Sequence, residues 1–174
     1  MRIDLYQSKY DKKIETFFQN CDVKNNSSWK SLGAHKRGNH QLFLIFDEDL
    51  IVGMCYAHDF SEYYPNSIRL FSRTAILPSY RGWNSPKKKG LAASGGCLSH
   101  TSKLQWDWAK KNGAENILCT TNSIGGISTS QRVGRYLHKV VDYDDSFEWF
   151  DKKEIYNCEQ DVWRILKRDI VNSR

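Results

Sequence analysis

The sequence has no C-x-x-C pair, and no histidine stands at zinc-ligand spacing from any of its five cysteines, Cys21, Cys55, Cys97, Cys119 and Cys158. That argues against a structural zinc site and against a disulfide scaffold. Cys55 and Cys119 lie inside apolar, strand-like runs and are expected as small core residues. No apolar stretch approaches the roughly 18 residues of a membrane span. The longest, Leu42 to Phe46, runs directly into Asp47, Glu48 and Asp49. The first ten residues alternate charged and apolar side chains and lack the continuous apolar centre of a secretory signal, so a cytoplasmic location is expected. There is no internal repeat, and the three prolines, Pro65, Pro78 and Pro86, fall in connections rather than in a linker. One domain over residues 1–174 is expected, long enough to bury a real core.

What is present has a globular balance: 40% hydrophobic, 13% aromatic and 26% charged residues, which excludes disorder along the whole chain. The 26 basic residues outnumber the 20 acidic ones, but the surplus is uneven. Asp142 to Asp161 holds eight acids and two lysines, so the rest of the chain is strongly basic. A basic body suits a polyanion or a phosphate-bearing cofactor, and an acidic segment can gather a cationic acceptor. Two solvated faces that keep the protein soluble would show the same pattern.

Hydrophobic periodicity predicts a strand at Ile3 to Tyr6 and a helix over Asp11 to Asn20, with Ile14, Phe17 and Phe18 on one face. Leu42 to Phe46 and Leu50 to His58, joined by the acidic turn, read as a β-hairpin, with Gly53 marking a bulge or a close backbone approach. Ile68 to Leu77 is a third strand whose alternation breaks midway. Pro78 to Gly96 is a glycine-rich, basic loop. A helix then runs to Lys111 with Cys97, Thr101, Leu104 and Trp108 on its inner face, leaving Trp106 outside, and Asn112-Gly113 stops it. Asn116 to Thr121 is a short strand, Ser128 to Lys139 a helical pattern, and Ser146 to Phe150 and Asp161 to Leu166 are β-like runs. The order describes a mixed α/β sheet.

The chemistry concentrates where a strand stops at Pro78 and hands a glycine-rich basic loop to the start of a helix. Such a junction offers unpaired N–H groups and a positive dipole end to a phosphate. Here Ile76-Leu77-Pro78-Ser79-Tyr80-Arg81-Gly82, followed by Lys88-Lys89-Gly90-Leu91-Ala92, resembles the entry and pyrophosphate loop of the GNAT superfamily of N-acetyltransferases. The strand Asn116 to Asn122 resembles the family's next strand, and the element order agrees from Leu42 to about Val141. Trp83-Asn84-Ser85-Pro86 enlarges the loop, so the helix start falls either at Gly90 or at Gly95-Gly96 with Ser94 as N-cap.

The resemblance implies an α/β fold with a GNAT-like, mixed, mostly antiparallel central sheet flanked by helices, and transfer of an acetyl group from acetyl-CoA to a small-molecule or protein amine acceptor. It implies that the backbone of Ile76 and Leu77 holds the pantetheine arm where neighbouring strands splay apart, and that Arg81, Gly82, Lys88, Lys89, Gly90, Leu91, Ala92, Gly95, Gly96 and Asn122 form the cofactor-binding set. Direct attack by a neutral amine needs a base for its proton, an N–H for the oxyanion and an acid for the departing thiolate. Tyr136 stands where the family's acid is expected. His58 and Asp59, ending the hairpin, are the candidate bases. Two other readings remain open: a binding or regulatory protein on a transferase scaffold without catalysis, and a nucleic-acid contact through the basic loop with Trp83 or Trp106 stacking on bases.

Overall fold

The computed structural model describes residues 2–21, 40–80, 99–121, 144–155 and 157–168. Within them, seven strands form one sheet in the order β1-β2-β3-β4-β5-β7-β6. These are β1 (Arg2–Leu5), β2 (His40–Asp47), β3 (Leu50–Asp59), β4 (Ser67–Ile76), β5 (Asn116–Thr121), β6 (Asp144–Ile155) and β7 (Cys158–Arg168). Every neighbouring pair is antiparallel except β4 and β5, which are parallel. The sheet is therefore mixed and mostly antiparallel, as expected. Two described helices pack on it, α1 (Asp11–Gln19) and α2 (Ser99–Lys111). Among the described residues, no helix is long and apolar enough to cross a membrane.

The hairpin β2–β3 forms the centre of the core. Leu42 to Phe46 and Ile51 to Ala57 include eleven buried apolar side chains together with Gly53, so both faces of these strands are covered. Glu48 takes φ +53° in the turn between them, which lets three acidic residues close the hairpin at the surface. The register slips by one residue at Val52, beside Gly53, and this is the bulge that the glycine announces. Ile14, Phe17 and Phe18 of α1 are buried in the same core. Cys55 and Cys119 are buried there as expected.

Helix α2 ends as the sequence requires. Gly113 adopts φ +77°; its N–H bonds the Lys110 carbonyl, and the Ala114 N–H reaches back to Ala109 at 3.1 Å. This paired arrangement closes a helix with a left-handed glycine. The inner face of α2 differs from the expected one. Thr101, Gln105 and Ala109 are fully buried, whereas Leu104 is 43% exposed. Trp106 and Trp108 are both partly buried, flanking the core from two sides. A polar residue displaces leucine from the core because Gln105 has a buried partner to satisfy. Cys97, the helical pattern at 128–139 and the enlarged basic loop lie outside the described residues.

Candidate functional site

The functional geometry begins where the two parallel strands separate. β4 and β5 pair at Ser67 with Asn116, Ile68 with Ile117 and Arg69 with Leu118, and there the pairing ends. Beyond that point β5 pairs with β7 through Thr121, while β4 continues along β3 to Ile76. A gap therefore opens toward the carboxyl ends of two neighbouring parallel strands, the place where open α/β sheets receive ligands.

Two bulges in β4 produce this divergence. Gly53 to Asp59 of β3 faces Ile68 to Ile76, with one extra residue between Arg69 and Ser72 and a second between Ser72 and Ala75. Extra residues bend and twist the bulged strand. Phe71 sits in the first bulge at φ +52°, a backbone conformation that costs a bulky residue energy unless it is held. It is held by Gln105, whose Oε1 accepts the Phe71 N–H at 2.9 Å. The Gln105 amide then donates to Thr101 Oγ1 at 2.8 Å and to Cys55 Sγ at 3.2 Å. Burial pushes the Cys55 thiol up to about 12, so it stays protonated and serves as packing. This explains why a glutamine, a threonine and a cysteine share the interior of α2 and β3.

Cys55 faces α2, so His58, three residues further along β3, faces the other side of the sheet. In register, His40, His58, Arg69, Leu118 and Arg164 form one row across five strands. His58 Nε2 lies 3.1 Å from Ser72 Oγ, and Nδ1 lies 2.7 Å from the Asp59 carbonyl oxygen. Ser72 is 2% exposed and belongs to the bulged part of β4. Beside the imidazole, Phe60 presents its ring edge-on at 6.0 Å and packs with Tyr63, Tyr64, Phe150, Leu118 and Val162. Arg164 lies over the Phe150 ring at 4.5 Å. Tyr64 donates its hydroxyl to Asp151 at 2.8 Å and Lys153 bonds the Tyr63 carbonyl at 3.0 Å, tying the β3–β4 turn to the β6–β7 hairpin.

The expected site residues divide into three groups. His58 meets Ser72 at the bulge. Asp59 is exposed, and the Ser61 hydroxyl, at 2.6 Å, together with the Ser61 N–H holds its carboxyl below the usual range; it caps a turn. The Leu77 N–H is already bonded to the Val52 carbonyl at 2.9 Å. Ile76, one residue earlier, turns its carbonyl the other way, where the Cys21 thiol donates to it at 3.3 Å. Tyr136, Arg81, Gly82, Lys88, Lys89, Gly90, Leu91, Ala92, Gly95, Gly96 and Asn122 lie outside the described residues. Sequence reasoning missed Ser72 and Gln105. The broken alternation of Ile68 to Leu77 signalled the bulge but not which side chains would serve it. At the opposite end of the β4–β5 contact, Asp59, Ser61, Asn66 and Asn112 help to line a shallow cavity of about 170 Å³.

No protein-family model matches the sequence, and no curated protein matches it. Solved structures do. The chain is similar to the ribosomal-protein-alanine N-acetyltransferase of Brucella melitensis, with 11% identity over 98% of this chain and 100% of that one at a TM-score of 0.55. It is also similar to aminoglycoside 6′-acetyltransferase type Ii, with 11% identity over 95% and 96% of the two chains at a TM-score of 0.60. A third likeness is to AAC(6′)-Iy in complex with the bisubstrate analogue CoA-S-monomethyl-acetylneamine, with 15% identity over 77% and 90% of the chains and a TM-score of 0.53. At such identities the likeness is one of fold, and the fold is that of the GNAT acetyltransferases.

Proposed function

We propose that the protein is an acetyl-CoA-dependent N-acetyltransferase acting on an amine acceptor. The observation that carries this reading is the parting of parallel β4 and β5 after Arg69 and Leu118, in a fold shared with acetyltransferases of aminoglycosides and of ribosomal-protein alanine. An extended pantetheine arm fits such a gap because it can complete a strand edge with its own amides. The Ile76 carbonyl is the described group best placed to receive it. The thiol that now donates to that carbonyl is a weak donor, readily displaced by an amide. In this reading Arg81, Lys88, Lys89 and the glycines that follow hold the phosphates at the helix entrance, and Tyr136 gives its proton to the departing thiolate. His58 is the base. Asp59 is not assigned that role, because a carboxylate stabilised by Ser61 is a weaker proton acceptor.

The acceptor class is a primary amine on a small molecule or on a protein. Calorimetric titration of the full chain with acetyl-CoA tests the reading, followed by free-thiol release against aminoglycosides and peptides that begin with alanine. Binding is expected, weakened about tenfold or more when Lys88 and Lys89 are replaced by Ala, since a hydrogen bond to a charged group contributes about 1.5–3 kcal/mol. Absence of binding heat at millimolar acetyl-CoA overturns it.

A further inference from the structure

Both ring nitrogens of the candidate base are engaged, and the chemistry of their partners fixes which one carries the hydrogen. A carbonyl oxygen only accepts, so Nδ1, at 2.7 Å from the Asp59 carbonyl, must be the protonated nitrogen of the neutral ring. Nε2 is then the lone-pair nitrogen, and the Ser72 hydroxyl, 3.1 Å away, donates to it. A proton travelling to the imidazole in this geometry arrives through Ser72 Oγ. We propose that Ser72 is the group that meets the acceptor amine and relays its proton to His58. The inference rests on the transferase reading above and assigns a residue that the reading does not contain.

Three further features support the assignment. Ser72 lies on β4 beyond the last residue paired to β5, so it belongs to the stretch that borders the gap. It falls between the two bulges, whose extra residues separate it from the regular ladder on either side. It is 2% exposed, which keeps bulk water from competing for the hydroxyl. The base, its orienting carbonyl and a donor hydroxyl form the arrangement by which a neutral imidazole activates an oxygen. In the reaction the amine lone pair attacks the thioester carbonyl and the C–N bond forms. The N–H proton passes to Ser72 Oγ as the hydroxyl's own proton moves to His58 Nε2. The C–S bond then breaks, and the thiolate takes a proton from the Tyr136 phenol. Amide and free thiol result, and the imidazolium returns its proton through solvent to the Tyr136 phenolate, which restores both groups.

The groups facing His58 are His40 from β2 and Arg69 from β4, both opposite it in register, with Ser72 at the ring and the Asp59 carboxylate next in the chain. The test uses the full chain with acetyl-CoA and n-butylamine as probe acceptor, following free thiol across the pH range in which imidazole titrates. Ser72→Ala is expected to lower kcat about 100-fold, at the lower end of general acid–base contributions, with KM for acetyl-CoA unchanged and the acid limb of the pH profile lost. His58→Gln behaves in the same way, and the double variant is no slower than either single one, as for groups acting as a unit. Ser72→Thr, which keeps a hydroxyl, restores turnover and the limb, separating lost chemistry from lost folding. Wild-type rate and limb in Ser72→Ala, or losses that multiply in the double variant, overturn the relay alone. Failure of the wild type to bind acetyl-CoA overturns the transferase reading and the relay together.

Discussion

Gln105 shows how one side chain connects packing to the site. A buried glutamine is costly unless its amide is paired, and here all of its partners lie on the strands beneath it or one turn earlier on its own helix. Its carbonyl oxygen stabilises the positive φ of Phe71, and that residue starts the divergence of β4. Replacing Gln105 by Leu removes the acceptor and leaves the part-buried Phe71 N–H without that partner. The expected loss is about 1–3 kcal/mol of folding stability, read by urea denaturation. Leu104→Ala, one residue earlier but 43% exposed, is expected to stay within about 0.5 kcal/mol of wild type. A reversal of the two effects would show that the helix presents its apolar rather than its polar stripe to the sheet.

Elements closed by local chemistry were legible, and elements closed by distant contacts were not. The hairpin β2–β3, the strand Asn116 to Thr121 and the helix stop at Gly113 follow from alternation, acidic turn residues and a glycine, all within a few positions of one another. The inner face of α2 did not follow. Leu104 is the better hydrophobe, and only the bulge at Phe71, some 34 positions away, explains why Gln105 is inside. The parting of β4 from β5 was legible only through the family resemblance and not from the residues themselves, since strand order depends on pairings between residues far apart in the chain. The β6–β7 strands are longer than the apolar runs predict, because backbone pairing extends through acidic residues such as Glu154 and Glu159. The helix stop yields its own prediction. A Cβ on Gly113 would meet nothing within 4 Å, so Gly113→Ala carries only the cost of a left-handed alanine. About 1–2 kcal/mol is expected, visible as a lower melting temperature and unchanged by any compensating cavity elsewhere.

At the scale of the molecule the sheet is two halves, β1 to β4 and β5 to β7, sharing three register pairs between β4 and β5. Other contacts reinforce the join. The Asn66 carbonyl accepts the N–H groups of Glu115 and Asn116, and Tyr64 and Lys153 tie the β3–β4 turn to the hairpin. All of these lie at or near the paired end, and among the described residues no backbone pair joins β4 to β5 at the open end. A ligand occupying the gap would bridge the halves where the described backbone does not, and it stabilises the native state by mass action, about 2.7 kcal/mol at 100 times Kd. Saturating acetyl-CoA is therefore expected to raise the melting temperature and to slow amide exchange in residues 70–76 and 119–121. The opposite end provides the control, because the cavity beside Asn66 and Asn112 is remote from the gap. Protection confined to that cavity would place the ligand at the wrong end of the β4–β5 contact, and the divergence of the two strands would then have no part in binding.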